Sequence, residues 1–418
     1  MSTYTGTSRP IDRCQLCGRD TLDSVLFLGF MPPVNTMVKI GTRATEQPAY
    51  PLELLRCGAC TLVQIGLEVD AEVLFPESYP YRTGTTRVLR DNFAELRRHA
   101  ESKLNLGAGS LVIDIGSNDG TLLGNFLAAG YRVLGIEPSD AGDVARANGI
   151  NTLQAYFGRE AARATREKYG PAALITAANV FAHISNIHDV VDGIVDLLGP
   201  RGVFISESHY VLDLVETLQY DTIYHEHLRH YSLESLRFLL AQHGLEIFDV
   251  LRIGTHGGSI RVYAARPGER TVEASVSDRL AAEQKFGLSD GSAFASFRKR
   301  VVQSKVDLHR VLAPIKAQSA RVYGIGAPSR ASTLINYTGL DDGLIDAVME
   351  VPSSHKVDKY IPGTRIPVLS EARLFADQPE FALLLSWHIA DELIANLRAK
   401  GYGGKFIVPL PEPRVIDA

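Results

Sequence analysis

The sequence predicts an α/β protein with a small N-terminal module held together by a metal, followed by two Rossmann-like domains. Three observations support this prediction. The four cysteines of the 418-residue chain form two CxxC pairs near the N-terminus. A strand, a glycine turn, a helix and a second strand with an acidic end follow one another over 111–137. The same order of elements recurs over 321–350.

Length and composition indicate an ordinary globular protein. At about 150 residues per domain the chain has room for two or three domains, and we predict them over 1–73, 74–275 and 276–418. The net charge of −5 argues against a nucleic-acid-binding surface. Since no apolar run approaches the ~18–20 residues of a membrane span, we expect a cytoplasmic protein without nucleic-acid or membrane partners. We expect it to be a monomer or a weak dimer.

The two cysteine pairs predict a structural zinc site. Cys14-Gln-Leu-Cys17 and Cys57-Gly-Ala-Cys60 have the spacing of four thiolate ligands, and the metal would close the 39-residue loop between the pairs. Two alternatives are a pair of disulfides in a secreted protein and two unrelated pairs. The first ten residues are polar and lack the apolar segment of a signal peptide, which favours zinc. A closed site of this kind folds a module and performs no chemistry.

Apolar periodicity predicts the elements that follow. An amphipathic helix is expected over 86–104. Strands are then predicted over 111–115, 131–136, 172–177, 202–206, 246–251 and 260–265. Helices are predicted between them over 121–129, 141–148, 159–168, 188–198 and 233–243. Strands separated by helices predict right-handed crossovers and a parallel sheet.

The C-terminal third repeats this pattern. Its predicted elements are a helical stretch over 278–319, a strand over 321–325, a turn over 326–332, a helix from Thr333 and a strand over 344–349. Gly-x-Gly in this turn, with Arg330 at the start of a helix, favours an anion site, because helix N-terminal amides and a guanidinium both attract phosphate. A merely structural turn fits the same residues equally well.

The unit from Asp114 to Glu137 predicts a cofactor site. The turn Gly116-Ser-Asn-Asp-Gly120 lets a ligand approach the backbone, and the acidic residue after the second strand can bind a ribose diol. Because the turn lacks the GxGxxG that suits a pyrophosphate, S-adenosylmethionine is favoured over a nicotinamide dinucleotide and over a turn without a ligand. The predicted cofactor contacts are Asp114, Gly116, Asn118, Asp119, Gly120, Glu137, Pro138 and Asn179.

A segment rich in histidine and tyrosine is the most unusual stretch of the chain. It spans 220–231 and holds three histidines beside acidic and phenolic groups: His225, His227, His230, Tyr224 and Glu226. It follows a strand that ends at the carboxyl edge of the sheet, where α/β proteins bind ligands. A metal site, a general base and a surface cluster are all compatible with this composition. We favour an active-site loop, since histidine takes and returns a proton near neutral pH.

Taken in order, these motifs resemble a known family: the three-domain S-adenosylmethionine-dependent sugar C-methyltransferases that act on nucleotide-linked deoxy keto-sugars. The resemblance covers essentially the whole chain. The motifs that carry it are the CxxC pairs, Tyr79-Pro-Tyr81, Gly-Ser-Asn-Asp-Gly (116–120), Gly-Ile-Glu-Pro (135–138), Asn179-Val-Phe-Ala-His183, Tyr-His-Glu-His (224–227), Gly-Ile-Gly-Ala (324–327), Asn336-Tyr337, Pro362-Gly363 and Trp387.

The resemblance implies a zinc-binding domain, a class I methyltransferase domain and a C-terminal Rossmann-like domain that helps to hold the nucleotide-sugar. The implied substrate is typically a dTDP-linked 4-keto-6-deoxyhexose. His227 matches the base of the family. The other implied catalytic residues are Tyr224, Glu226, His183 and Tyr79. The implied substrate contacts are Tyr81, His225, Arg330 and Lys356.

Two departures from the family pattern lie in the C-terminal domain. Pro328-Ser-Arg-Ala-Ser332 replaces Ala-Ala-Lys-Gly-Asn, which would pass phosphate binding to Arg330, and His388 follows Trp387 in place of an asparagine. The expected reaction is methylation of a carbon next to a ketone, by way of an enolate that a base generates. The alternative is an O- or N-methyltransferase that acts on a sugar-like molecule.

Overall fold

The N-terminal module consists of two small antiparallel sheets beside the cysteine pairs in the computed structural model, which describes residues 8–74 and 83–417. Its elements are β1 (Ser8–Pro10), β2 (Leu22–Met31), β3 (Tyr50–Cys57), β4 (Val63–Ile65), β5 (Leu67–Val69) and helix α1 (Ala71–Leu74). Strand β3 alternates buried and half-buried residues, the period of a strand with one face on a core. It ends on Cys57, so the sheet positions one cysteine pair directly.

The middle domain opens with a 3₁₀ turn (Thr83–Thr85) and helix α2 (Arg87–Leu104). Its strands are β6 (Leu111–Ile115), β7 (Arg132–Ile136), β8 (Thr152–Leu153), β9 (Ala172–Ala178), β10 (Leu198–His209), β11 (Arg229–His230), β12 (Glu246–Ile253) and β13 (Ser259–Ala265). Its further helices are α3 (Thr121–Ala128), α4 (Ala141–Ala147), α5 (Arg159–Tyr169), α6 (Ile187–Leu197), α7 (Val211–Glu216) and α8 (Leu233–Gln242), with 3₁₀ turns at Tyr220–Thr222 and Thr255–Gly257. The predicted α/β order is therefore confirmed.

The sheet of this domain is mixed, whereas the sequence predicted a parallel one. Its seven strands lie in the order β12-β13-β10-β9-β6-β7-β8, and β13 runs antiparallel to both neighbours. Only the short segment 254–258 joins β12 to β13. That length is too short for the helical crossover that a parallel pair requires, so the two strands form a hairpin.

Strand β11 belongs to a different sheet from its neighbours in the chain. Arg229 pairs with Gln64 and His230 with Val63, so β11 extends the zinc module's sheet in the order β11-β4-β3-β2. The amide of Ile65 also donates to the carbonyl of Leu228 at 3.1 Å. The histidine-rich segment is thus anchored to the N-terminal module.

The C-terminal domain has a second seven-stranded sheet, in the order β16-β17-β15-β14-β18-β19-β20. Its strands are β14 (Val322–Ile325), β15 (Ala347–Glu350), β16 (Lys359–Tyr360), β17 (Pro367–Ser370), β18 (Phe381–Leu384), β19 (Lys405–Val408) and β20 (Arg414–Ile416). Its helices are α9 (Ala274–Phe286), α10 (Ser292–Ala317), α11 (Ser329–Thr338), α12 (Ala372–Asp377) and α13 (Ala390–Ala399), with a 3₁₀ turn at Trp387–Ile389. The four central pairings are parallel, as in a Rossmann-like fold.

Two predicted helix boundaries in this domain were wrong. The stretch over 278–319 is two helices, because Gly287 and Gly291 take φ values of +88° and +82° and interrupt the helical backbone. Helix α11 starts at Ser329 rather than Thr333, directly after Pro328 in extended conformation. Proline is tolerated at a helix start, since the N–H group that it lacks would have no partner within the helix.

Each of the two Rossmann-like units contains an equivalent local hydrogen bond. The amide of Asn118 donates to Glu137 Oε2 at 2.9 Å, and the amide of Ala327 donates to Glu350 Oε2 at 2.8 Å. In each unit the acidic residue after the second strand binds the turn after the first. Within the described ranges, none of the helices has both the length and the apolar character required to span a membrane.

Candidate active site

The four cysteines converge as the sequence predicted. Their sulfur atoms all lie within 4.8 Å of one another, with Cys14 and Cys60 at 3.4 Å and Cys17 and Cys57 at 3.5 Å. A disulfide would need about 2.05 Å. A tetrahedral zinc with bonds of about 2.3 Å places its sulfurs roughly 3.8 Å apart, close to these distances. The donor set therefore fits a structural Zn²⁺.

Both turns at the cysteines have the backbone of a metal knuckle. Gly18 and Thr61 follow the second cysteine of each pair with φ of 68° and 61°. The amide of Leu16 points at the sulfur of Cys14 at 3.5 Å, and the amide of Ala59 at that of Cys57 at 3.4 Å. Such N–H groups stabilise the negative sulfur that binds a metal.

Two glycines of the turn after β6 have no space for a side chain. Gly116 has a φ of 65°, and a Cβ there would lie 2.6 Å from Val180 Cγ2. Gly120 has a φ of 79° directly before α3, and its Cβ would lie 2.9 Å from Ile150 Cγ1. These two glycines are therefore required for packing against Val180 and Ile150, and the approach of a ligand to this turn stays a prediction.

Asn118 and Asp119 hold the segment that precedes α2. Asn118 Oδ1 accepts from the Thr83 amide at 3.1 Å, and Asp119 Oδ2 accepts from the Gly84 amide at 2.8 Å. Asp119 Oδ1 also accepts from the hydroxyls of Thr83 and Thr121, both at 2.6 Å. A direct contact of these two side chains with a cofactor stays a prediction.

Glu137 is buried at the end of β7, where the ribose contact was predicted. Besides the Asn118 amide, its carboxylate accepts from the Ser139 amide at 2.9 Å and the Ser139 hydroxyl at 2.6 Å. The backbone thus fixes the orientation of this side chain. Among the described residues, Oε2 accepts only from the Asn118 amide and can accept a further hydrogen bond. Pro138 follows it, and its carbonyl accepts from Gln154 at 3.5 Å.

Two further predicted cofactor residues lie at the same edge of the sheet. Burial raises the pKa of Asp114 to about 7, and its carboxyl accepts from the Thr176 hydroxyl at 2.6 Å. Asn179 takes a φ of 59° after β9. Among the residues that the structure describes, no donor reaches the buried Asn179 Oδ1 or Ser117 Oγ. These two atoms can still accept hydrogen bonds, and a contact of Asn179 with a cofactor stays a prediction.

The tautomer of His227 follows from one hydrogen bond. Its Nδ1 lies 2.8 Å from the carbonyl oxygen of Thr222, which can only accept. Nδ1 therefore carries the proton, and Nε2 has a free lone pair. The Tyr224 ring lies over this imidazole, with 4.1 Å between ring centroids. Burial holds the pKa of His227 well below its usual value, so the ring is neutral near neutral pH.

Further histidines surround this ring. The His183 and His209 rings lie 4.9 and 5.1 Å from His227 between centroids, and His230 lies at 6.0 Å. Burial lowers the pKa of His183 and His230 to about 4 and that of His209 well below its usual value. The imidazoles are therefore neutral together, since a charge on one would disfavour a charge on the next.

Glu226 and His225 face the N-terminal module. Glu226 Oε1 accepts from the side-chain amide of Asn35 at 2.7 Å. His225 Nε2 donates to the Pro51 carbonyl at 3.3 Å, and its ring packs edge-on against Tyr50. A cavity of about 340 Å³ opens between the module and the loop. Its lining includes Arg9, Glu68, Asp70, His183, His225 and Glu226.

The predicted residues of the C-terminal domain lie on the other side of the loop. Lys356 Nζ donates to the Ala327 carbonyl at 2.7 Å. Burial lowers its pKa, and the carboxylates of Glu350 and Glu226 oppose this effect. Arg330 is buried and paired with Asp221, so its charge is matched within the protein. Tyr79 and Tyr81 lie outside the described residues.

The histidine-rich loop is not a metal site in the part of the chain that the structure describes. The four cysteines are the one group of three or more His, Cys, Asp or Glu side chains there that is close enough to hold an ion. The role of general base stays a prediction. Asn35, Thr222 and Asp221 were missed, because single polar residues far apart in the chain give no periodic or spacing signal.

Family models match three successive parts of the chain. A zinc binding domain matches residues 14–75, a methyltransferase domain matches 81–250, and a C-methyltransferase C-terminal domain matches 254–411. The curated C-methyltransferase NovU of Streptomyces niveus is 34% identical over 413 residues, which is 98% of each chain.

Solved structures resemble part of the chain. A chain of the complex between the Haloferax volcanii Trm112 methyltransferase activator and a methyltransferase is 16% identical with a TM-score of 0.35, covering 44% of this chain and 94% of that one. Magnesium protoporphyrin IX methyltransferase from Synechocystis PCC 6803 is 15% identical with a TM-score of 0.32, covering 42% and 79%. The full-length identity to NovU confirms the resemblance drawn from the motifs. The chain belongs to the family of S-adenosylmethionine-dependent C-methyltransferases with a structural zinc module.

Proposed function

We propose that the protein transfers the methyl group of S-adenosylmethionine to a carbon next to the ketone of a nucleotide-linked deoxy keto-sugar, with dTDP as the carrier. The observation that carries this proposal is the hydrogen bond from His227 Nδ1 to the Thr222 carbonyl, which places the lone pair of the neutral ring on Nε2. A carbon next to a ketone needs such a base, because it is not nucleophilic until its proton has left.

His227 is well suited to be this base. It is neutral at working pH because burial lowers its pKa, and the Thr222 carbonyl stabilises the imidazolium that forms when Nε2 takes the proton. The electron pair of the broken C–H bond moves into the carbonyl group and gives an enolate. The carbon of that enolate would then bond to the methyl carbon in line, while the bond from the methyl carbon to sulfur breaks and its electron pair stays on S-adenosylhomocysteine.

The developing oxyanion needs a hydrogen-bond donor. Tyr224 and His183 are the candidates among the described residues, since their rings lie 4.1 and 4.9 Å from that of His227. A neutral imidazole or phenol donates without a change in net charge, and a buried site makes the donation stronger. S-adenosylmethionine supplies the methyl group on a cationic sulfur, which makes that carbon electrophilic.

Cofactor and substrate occupy different parts of this arrangement in the proposal. Gly116, Glu137, Asp114 and Asn179 line the edge of the middle sheet and would hold the cofactor. The substrate diphosphate needs a cation, and Lys356 is the better placed of the two predicted ones because Arg330 already pairs with Asp221. His225 and Glu226 line the cavity in which a sugar would bind.

An O- or N-methyltransferase acting on a sugar-like molecule is the alternative. It would use the same cofactor edge, but it would not need an acidified carbon. S-adenosylmethionine with a ¹³C-labelled methyl group distinguishes the two when it is incubated with a dTDP-linked 4-keto-6-deoxyhexose. The proposal predicts a product methyl bonded to carbon in its ¹³C NMR spectrum. A methyl bonded to oxygen or nitrogen would overturn it.

A further inference from the structure

A buried ion pair joins the C-terminal domain to the histidine-rich loop. Arg330, in the first turn of α11, donates from Nε to Asp221 Oδ2 and from Nη2 to Asp221 Oδ1, both at 2.8 Å. The Asp221 side chain is fully buried, and that of Arg330 is 8% exposed. Two parallel hydrogen bonds of this kind fix the angle between the partners as well as their distance.

The same carboxylate has a further partner in the C-terminal domain. Trp387 Nε1 donates to Asp221 Oδ2 at 2.8 Å, and the guanidinium of Arg330 lies 5.0 Å from the centre of the Trp387 ring. Arg330 also donates to Gln219 Oε1 at 3.3 Å, and Gln219 in turn donates to the Gly257 carbonyl at 2.7 Å. Asp221 is therefore held from several directions at once.

This pair lies one residue from the carbonyl that orients His227. Thr222 follows Asp221 in the 3₁₀ turn, and its carbonyl accepts a hydrogen bond from His227 Nδ1 at 2.8 Å. On the other side of Thr222, the carbonyl of Ile223 accepts from the Thr333 hydroxyl of α11 at 3.3 Å. Helix α11 thus holds both residues that flank Thr222.

We propose that Asp221 and Arg330 are positioning residues for the base. Their ion pair sets the direction of the Thr222 carbonyl, and that carbonyl keeps the proton of His227 on Nδ1. A buried ion pair adds little net stability relative to an apolar pair of the same shape, but it specifies one geometry. This inference rests on the proposed role of His227 as the base that removes the substrate proton.

Four variants separate positioning from stability. Arg330→Met and Asp221→Asn each leave one buried partner without its counterpart, whereas the double variant leaves no unpaired charge. Arg330→Lys keeps the charge without the paired geometry. The matched control is Arg300→Met. Arg300 of α10 also joins the C-terminal domain to the middle domain, but it donates to the carbonyls of Val215 and Glu216, which precede the 219–227 loop.

The first readout is the tautomer of His227, measured by ¹⁵N NMR on histidine-labelled protein and assigned with His227→Gln. The wild type and Arg300→Met should show a protonated Nδ1 and an unprotonated Nε2. The double variant should show mixed tautomers. If a single variant does not fold, the double variant still decides the result. A wild-type tautomer in the folded double variant would overturn the inference.

The second readout is exchange of the substrate α-proton at saturating keto-sugar. The kcat of exchange should fall about 10–100-fold in the double variant, because a small displacement of a base is costly. The kcat of exchange in Arg330→Lys should lie between the values of the double variant and the wild type. The affinity for S-adenosylmethionine should not change. An unchanged kcat in the double variant contradicts the inference.

The two single variants should shift the pKa of His227 in opposite directions. Loss of the cation in Arg330→Met favours the imidazolium, and loss of the anion in Asp221→Asn disfavours it. The other titratable groups that face this ring, Tyr224, His183, His209, His230 and His256, are unchanged in both. Shifts in the same direction would indicate a merely structural role. Failure of the wild type to exchange the proton would refute the proposed function and leave the tautomer test intact.

Discussion

Asn35 of the zinc module donates a hydrogen bond to Glu226 of the histidine-rich loop, with 2.7 Å between Nδ2 and Oε1, although 191 residues separate them. The pairing of β4 with β11 brings the same two regions together through the backbone. The module that zinc folds therefore forms one side of the proposed active site. Zinc acts there on geometry and leaves the chemistry to the loop.

Asn35→Ala should weaken catalysis without loss of the fold. A hydrogen bond to a charged group is worth about 1.5–3 kcal/mol, so kcat/KM for the keto-sugar should fall roughly 10–100-fold. The affinity for S-adenosylmethionine should stay at the wild-type value. Asn148→Ala, at the exposed end of α4, is the control and should keep full activity. Wild-type kcat/KM in Asn35→Ala would show that Glu226 does not need this partner.

Removal of zinc should disorder the loop before the cofactor site. Without the metal the sheet loses its anchor at Cys57, and β11 loses the partner that orders Arg229 and His230. Hydrogen exchange after treatment with a chelator should therefore accelerate at 63–65 and 228–230. Titration with S-adenosylmethionine should still detect binding. If the amides of 228–230 stay protected from hydrogen exchange in the metal-free protein, the zinc site does not order this part of the loop.

Gly116→Ala should damage the cofactor site by a steric clash. The added Cβ would lie 2.6 Å from Val180 Cγ2, in a backbone with a φ of 65°. Gly149→Ala is the matched control, because its φ is 81° and nothing lies within 4 Å of the new Cβ. Both variants carry a left-handed strain of about 1–2 kcal/mol. Only Gly116→Ala should also lose affinity for S-adenosylmethionine, as measured by calorimetry.

Asp114 should make the stability of the protein depend on pH. Its pKa in the folded protein is about 7, above the ordinary value of 3.8, so the folded state binds more protons between these pH values. The stability that this difference contributes is fully present below pH 3.8 and is lost as the pH rises towards 7. The free energy of unfolding of the wild type, relative to Asp114→Asn, should therefore fall across this range. A difference that is independent of pH would show that the carboxyl ionises normally.

Local patterns predicted much of the middle domain. The strand, turn, helix and strand of 111–136 were located to within one residue, because each depends on neighbours in the chain. The cysteine spacing predicted the thiolate cluster for the same reason. The apolar pattern did not predict the antiparallel direction of β13, which follows from its short connection to β12. It also did not predict the division of 278–319 into two helices, which two glycines cause.

The parts of the site that depend on distant contacts could not be predicted. The histidine-rich segment stood out by composition, yet the role of Arg330 was assigned to phosphate because nothing near it in the chain indicates Asp221. In the same way, no local signal connects Asn35 with Glu226 or Val63 with His230. Single hydrogen bonds across 100 or more residues become visible only once the sheets are assembled.

The central claim is that His227 removes the proton next to the substrate ketone. The most direct test follows that proton in a dTDP-linked 4-keto-6-deoxyhexose in deuterated water, with S-adenosylhomocysteine in place of the methyl donor. Wild-type protein should exchange one α-proton for deuterium, and His227→Ala, folded and still able to bind the cofactor, should not. Exchange at the wild-type rate in His227→Ala would contradict the account.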